Sequence, residues 1–286
     1  MTGIAIGLVL ASAFLHASWN LLAKRAGGGA PLVWLFDALT LVIFAPVILV
    51  SLFFVSYEFS LGALGFMVVS AGLHLAYFIL LQRGYRIGDL SLVYPLARGT
   101  GPVLSTIVAI IILGERPSLL AIVGAFLVAA SVFALTGGPG KLAGKGARWA
   151  VGYGLLTGVF IAGYTLWDKQ AVSAYGIPPL LFYYGSVMVR VLILCPYAWH
   201  MRDKVRFEWD HHRFEAVGVA LLSTISYFLI LSVLVFTPVS YVAPAREISI
   251  LIGTIMGTRL LAEADGRRRL PAALGMVIGV VALALG

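Results

Sequence analysis

Two apolar stretches of this chain carry charges in their middle. Residues 90–118, LSLVYPLARGTGPVLSTIVAIIILGERPS, hold Arg98 three positions after Pro95. Residues 239–263, VSYVAPAREISILIGTIMGTRLLAE, hold Arg246 and Glu247 just after Pro244. A guanidinium can clamp a carboxylate or phosphate through parallel N–H bonds. A carboxylate such as Glu247 can bind an amine, pair with an arginine or carry a proton. Each such charge at mid-membrane costs about 2.5–3.5 kcal/mol, so the three unpaired would cost roughly 8–10 kcal/mol, comparable to the stability of a whole domain. They must meet each other, water in a cavity, or a ligand. Two readings stay open: a permanent interhelical network, or an arginine that meets an anionic substrate group. A pair that opens when substrate arrives satisfies both.

Further polar residues sit at helical spacing. His16, Trp19 and Asn20 fall at i, i+3 and i+4 on one face, and His74 and Tyr77 share a face in another segment. Tyr164 and Tyr227 stand in the corresponding segments of the second half. Together they could wall a polar, aromatic cavity, and His16 or His74 could carry a coupling proton. Each is equally suited to an interhelical hydrogen bond. Arg190 is a second-rank candidate, and Asp37 is expected to pair with the nearby Lys24-Arg25 loop. Asp168, Lys169, Arg259 and Glu263 lie at predicted segment ends, where they can reach water. Pro95 and Pro244 each remove an intrahelical bond and are the predicted hinges. With Gly99, Gly101 and Pro102 following Pro95, the first stretch is expected to be irregular at Arg98, or else to make close helix contacts at its glycines.

Motifs of soluble enzymes are absent from the sequence. There is no P-loop, no dinucleotide-binding glycine pattern and no HExxH. We therefore expect no catalytic residue, no cofactor and no metal site. His211-His212 is read as part of a solvated loop over 200–215, and the one cysteine, Cys195, as a small buried hydrophobe.

The elements that position these residues follow from composition. The 286 residues are 61% hydrophobic and 11% charged, and mean hydropathy is +1.01. Soluble domains carry about 25% charged residues, so the lipid bilayer must serve as solvent. Net charge is +8, but the basic residues are scattered between apolar runs, which argues against nucleic acid as a partner. Charges and turn residues delimit ten spans near 3–23, 31–56, 61–82, 90–113, 118–136, 149–168, 178–199, 215–236, 239–262 and 270–285. The first reads as a retained span rather than a cleaved signal, since it has no basic start. Continuous apolar runs without period-2 alternation exclude a β-barrel reading.

The glycine-rich linker 137–148 separates residues 1–136 from 149–286, five spans each. The halves echo each other: Lys24 matches Lys169, Pro95 matches Pro244, and Leu113-Gly114-Glu115 matches Leu261-Ala262-Glu263, at offsets of 145, 149 and 148. An odd number of spans per half inverts the second half, so the predicted fold is an all-α polytopic membrane protein of ten transmembrane helices in two inverted five-helix repeats. Such folds place a site near the midplane. Arg98 then lies about 5 Å from the midplane, with Glu247 roughly 10 Å from it in height. Loops after odd-numbered spans hold fourteen Lys and Arg against two in the others, which predicts external termini.

Taken together, these features resemble the EamA-type ten-helix transporters of the drug/metabolite transporter superfamily. The resemblance is carried by the aromatic first span ending at Lys24, its echo ending at Lys169, the Pro95 helix, LGERPS (113–118) followed by Gly124, and the Pro244 helix with Glu263. It implies a multi-pass carrier of the bacterial-type inner membrane, commonly an exporter of amino acids or related metabolites, with cytoplasmic termini, against the loop charges. It implies a central cavity lined by the first, third, fourth, sixth, eighth and ninth helices, which adds Tyr94 to the candidates. Family members commonly carry Trp where this chain has His16, and those with apolar cavities lack intramembrane arginines. Both departures favour a small polar substrate with an anionic group: an amino acid, organic acid or phosphonate-like compound. The competing expectations are a proton-coupled drug or cation exporter using Glu247, and a membrane-embedded enzyme or lipid-modifying accessory protein.

Overall fold

The computed structural model describes residues 1–26, 29–54, 57–87, 90–135, 147–260 and 266–286, and every regular element among them is a helix. In chain order these are α1 (Gly3–Arg25), α2 (Ala30–Phe54), α3 (Leu61–Ile87), α4 (Leu90–Ile112), α5 (Leu119–Leu135), α6 (Ala147–Lys169), α7 (Pro179–His200), α8 (Arg202–Phe236), α9 (Val239–Ala245), α10 (Ile248–Leu260) and α11 (Gly266–Leu285). A π-helical turn, Gln170–Ala174, prolongs α6. Six of the helices are long and apolar enough to cross a membrane, and α4, α5 and α11 contain shorter apolar helices. The protein is thus an all-α polytopic membrane protein, with α9 and α10 together forming the ninth span and α11 the tenth.

Three expectations change. The polar stretch 200–215 is not a loop, because α8 starts at Arg202 and bends at His212, whose φ of −129° and ψ of 26° leave the helical region. Helical spacing explains the gain: His212 Nδ1 meets Glu208 Oε2 at 3.0 Å, one turn back. Cys195 is exposed rather than buried, on a face of α7 that also exposes Leu192 and Trp199. Its run is apolar because that face is solvated by lipid, not because it lies in the core. Finally, α4 is unbroken across Arg98, so the predicted irregularity there does not occur.

The reason for that regularity is the seat α4 finds on α6. A Cβ on Gly154 would come within 2.8 Å of Leu96 Cβ, one on Gly158 within 2.7 Å of Thr100 Cβ, and one on Gly101 within 2.5 Å of Ile161 Cγ2. The small-xxx-small spacing of Gly154 and Gly158 lets the backbones approach, which is the main source of helix association in lipid. At the other side of the molecule, α5 and α11 cross at Gly124 and Gly279. Pairings recur under a shift of five spans: α1 packs on α8 as α6 packs on α3, and α1 packs on α10 as α6 packs on α4. Polar groups hold the seams, as where Ser12 Oγ donates to the Ser226 carbonyl at 2.8 Å and Ser226 Oγ returns the bond at 2.9 Å.

This packing gives a direct test. A Cβ on Gly124 would lie 2.7 Å from the Gly279 carbonyl oxygen and 3.0 Å from the Leu283 nitrogen. Backbone cannot step aside cheaply, so Gly124→Val is expected to cost about 1–3 kcal/mol by overpacking. Thermal unfolding in detergent should show a lower Tm, whereas Gly152→Ala, with nothing within 4 Å of the added Cβ, should leave it unchanged.

Candidate functional site

The site is built on a broken helix. Pro244 closes α9, and the chain makes one tight turn before α10. In that turn Glu247 N–H donates to the Pro244 carbonyl at 3.0 Å and Ile250 N–H to the Glu247 carbonyl at 2.9 Å, the i→i−3 pattern of a tightened turn. The break places Arg246 at the C-terminal end of α9 and Glu247 at the N-terminal end of α10. Each charge faces the helix-dipole end of opposite sign. Discontinuous helices at the midplane are how many transporters offer charged ends to a solute.

Arg98 comes to this break from α4. Its Nε lies 3.0 Å from Glu247 Oε2, with Arg98 only 7% and Glu247 4% exposed. The height difference of roughly 10 Å expected from helix geometry alone is closed by side-chain reach and by the displaced backbone of the turn. Two small voids flank the pair, each with room on the scale of one water molecule. Ser12, His16 and Ser249 line the first with Arg98 and Arg246. Ser105, Tyr164 and Thr165 line the second with both arginines and Glu247. The serines and threonine escaped the sequence reading because single hydroxyls carry no spacing signal.

An aromatic layer continues from the second void. His74 of α3 stacks on Tyr164 at 4.1 Å and meets Tyr227 edge-on at 5.5 Å. Tyr77 approaches Tyr164 at 5.9 Å. The Arg246 guanidinium carbon sits 5.7 Å from the Tyr227 ring centroid, within cation–π range. Behind this ring lies a residue placed wrongly from sequence: Asp168 is fully buried, and Tyr227 O–H donates to its Oδ2 at 2.5 Å. It does not reach water at a span end because the helix runs on past it through Gln170–Ala174. Its neighbour Lys169 behaves differently, donating to the Leu234 and Thr237 carbonyls at 2.6 and 3.2 Å and so capping the end of α8.

Trp19 packs edge-to-face at 4.9 Å on His16 of the first void. Other candidates fall outside this cluster: Asn20 is exposed and donates to the His16 carbonyl at 2.7 Å. Arg190 is engaged elsewhere: its Nε and Nη2 form a two-pronged bond to Asp37 at 2.9 and 2.7 Å, which also corrects the expected pairing of Asp37 with the Lys24-Arg25 loop. The side chains of Tyr94, Pro95 and Arg259, and residue Glu263, lie outside the described residues. Among the described residues no three His, Cys, Asp or Glu side chains gather as metal ligands would.

Hydrogen bonds also tie the turn after α4 to the start of α9 and join the chain ends to their neighbours. Gly114, with φ +67°, turns the chain after α4 in a way that favours glycine, and Glu115 follows. Its two oxygens accept from the Val239 and Ser240 amides at 2.7 and 2.9 Å, capping α9 much as Lys169 caps α8. Tyr241 O–H donates to the Gly286 carbonyl at 3.3 Å, and the Met1 ammonium donates to the Ala284 carbonyl at 3.0 Å.

Residues 148–285 match the model of the EamA-like transporter family. One solved structure, described as a crystal structure of a protein, superposes with a TM-score of 0.75 over 100% of this chain and 98% of its own, at 13% identity. At that identity the likeness shows the fold alone. No curated protein matches the chain.

Proposed function

The chain belongs to the EamA-like transporters by its second half, residues 148–285, and from that premise we propose that it is a secondary carrier of small polar metabolites bearing an anionic group. The proposed substrates are amino acids, organic acids or phosphonate-like compounds, exported across a bacterial-type inner membrane by alternating access. Residues 1–136 and 149–286 are the two units that move, rocking about Pro95 and Pro244. The observation that carries the reading is the placement of two arginines, Arg98 and Arg246, against small voids at a broken helix, with Glu247 between them. Arginine is the side chain suited to bidentate capture of carboxylate or phosphonate. The voids hold about one water each, so the state described is occluded, and the Arg98–Glu247 pair is what an entering anion would open. Glu247 then binds the amine of a zwitterion or stays with one arginine. His16, Trp19, His74, Tyr77, Tyr164 and Tyr227 shape the walls.

The test is a solute panel on the purified full-length protein. Amino acids, dicarboxylates and methylphosphonate are expected to raise Tm and to be taken up into proteoliposomes. If quaternary ammonium cations are carried and these acids are not, the chain is a cation exporter with Glu247 as its site. If no solute moves and a lipid is altered instead, the carrier reading fails altogether.

A further inference from the structure

We infer that Asp168, with Tyr227, is a proton-binding site, and that its occupancy is linked to anion binding at Arg246; the linkage rests on the anion-carrier reading above, the proton site does not. Asp168 is 0% exposed. Tyr227 O–H serves Oδ2, but Oδ1 is buried without a hydrogen-bond partner among the described residues. Even with the Tyr227 and Ser70 hydroxyls both acting on it, an ionised carboxylate in such surroundings is costlier than a neutral acid. The site therefore favours a cation at Oδ1. Among the described residues Asp168 belongs to no group of three or more His, Cys, Asp or Glu side chains that could hold a metal ion, and a proton needs only the one oxygen. The step is simple: the Oδ1–H bond forms or breaks, and the proton comes from and returns to water, with no electron transfer.

What makes this site more than a buried acid is its neighbour. Tyr227 touches Asp168 with its hydroxyl and faces Arg246 with its ring, so the acid and the anion-binding cation share one side chain. The groups facing Asp168 from the packed elements are Arg246 at the α9–α10 break and Arg190 on α7. Tyr183 of α7 and His74 of α3 reach it through the Tyr227 ring, and Arg98 of α4 and Glu247 lie beyond Arg246. Arg190 is already neutralised by Asp37, whereas Arg246, which shares Glu247 with Arg98, is the cation that also faces Asp168 through the Tyr227 ring. With Asp168 ionised, the field of Arg246 is divided between the acid and any entering anion. With Asp168 protonated, Arg246 is left to the anion. Linkage is reciprocal, so proton and anion load together.

The experiment uses full-length protein in detergent. In pH-difference infrared spectra without solute, acidification is expected to raise, beside the C=O bands of the other carboxyls, a distinct protonated-carboxyl band in the wild type and not in Asp168→Asn. Tyr227→Phe keeps the acid but removes its hydrogen bond, so the band should persist at a shifted position. A band that survives Asp168→Asn, or that Tyr227→Phe leaves in place, overturns the proton site. Succinate and methylphosphonate then probe the linkage: their affinity should rise about 5- to 150-fold from high to low pH in the wild type and lose that pH dependence in Asp168→Asn. An unchanged dependence in Asp168→Asn overturns the linkage. A wild-type protein that shows the band but binds no anion overturns the carrier reading and the linkage while the proton site stands.

Discussion

Arg98→Ala is expected to abolish the thermal stabilisation that carboxylate and phosphonate solutes give the wild-type protein. A hydrogen bond to a charged group contributes about 1.5–3 kcal/mol, so affinity should fall about 10- to 150-fold. The same change leaves Glu247 buried without its partner at 3.0 Å, with Arg246 as its remaining cation. Removing one member of a buried ion pair costs about 3–5 kcal/mol, and the apo protein should therefore melt lower. The double variant Arg98→Ala with Glu247→Gln separates the two effects. It should recover most of the lost stability, since no buried carboxylate is left without its partner, and it should recover none of the anion binding. If instead Arg98→Ala lowers Tm but succinate and methylphosphonate stabilise it as they do the wild type, Arg98 only locks the halves together and the anion site is elsewhere.

The second large effect belongs to a pair that the proposed mechanism does not use. Asp37→Ala strips the two-pronged carboxylate from Arg190 in the α2–α7 contact. A guanidinium held by two short bonds has no other carboxylate within ion-pair distance among the described residues, so the expected loss is again about 3–5 kcal/mol. Replacing both members, Asp37→Leu with Arg190→Met, removes the charges together and should lie close to the wild type in Tm, because apolar replacement of a buried pair is commonly near neutral. Uptake by this double variant is the deciding measurement. Transport at wild-type rates makes Asp37–Arg190 a structural clasp. Loss of transport with intact Tm returns Arg190 to the site.

The comparison of these two pairs shows where sequence reading reaches and where it stops. Arg98, Arg190, Arg246 and Glu247 were conspicuous for one physical reason: charge inside apolar runs is expensive, so each must have a partner. Partner choice was not legible. Asp37 is separated from Arg190 by 153 positions, and only the crossing of α2 and α7 brings them together. The expectation that Asp37 would meet the nearby basic loop relied on chain proximity, which helices as long as the membrane defeat. Asp168 was misplaced for a related reason. A span end was inferred where the charges Asp168-Lys169 appear, yet the helix continues through a π turn, and the two adjacent charges separate into a buried acid and a helix cap.

What the sequence by itself determined is the solvent and the helices. An 11% charged chain with apolar runs near 20 residues can only satisfy its backbone in lipid as α-helices. What only the tertiary structure decided is which side chains meet. The break after Pro244 and the unbroken α4 come from similar proline-bearing sequences; α4 is kept regular by the glycine face of α6, a contact between residues more than 50 positions apart. Local sequence sets propensity and depth. Pairing of charges is set by helix crossings, and those depend on small residues in other parts of the chain.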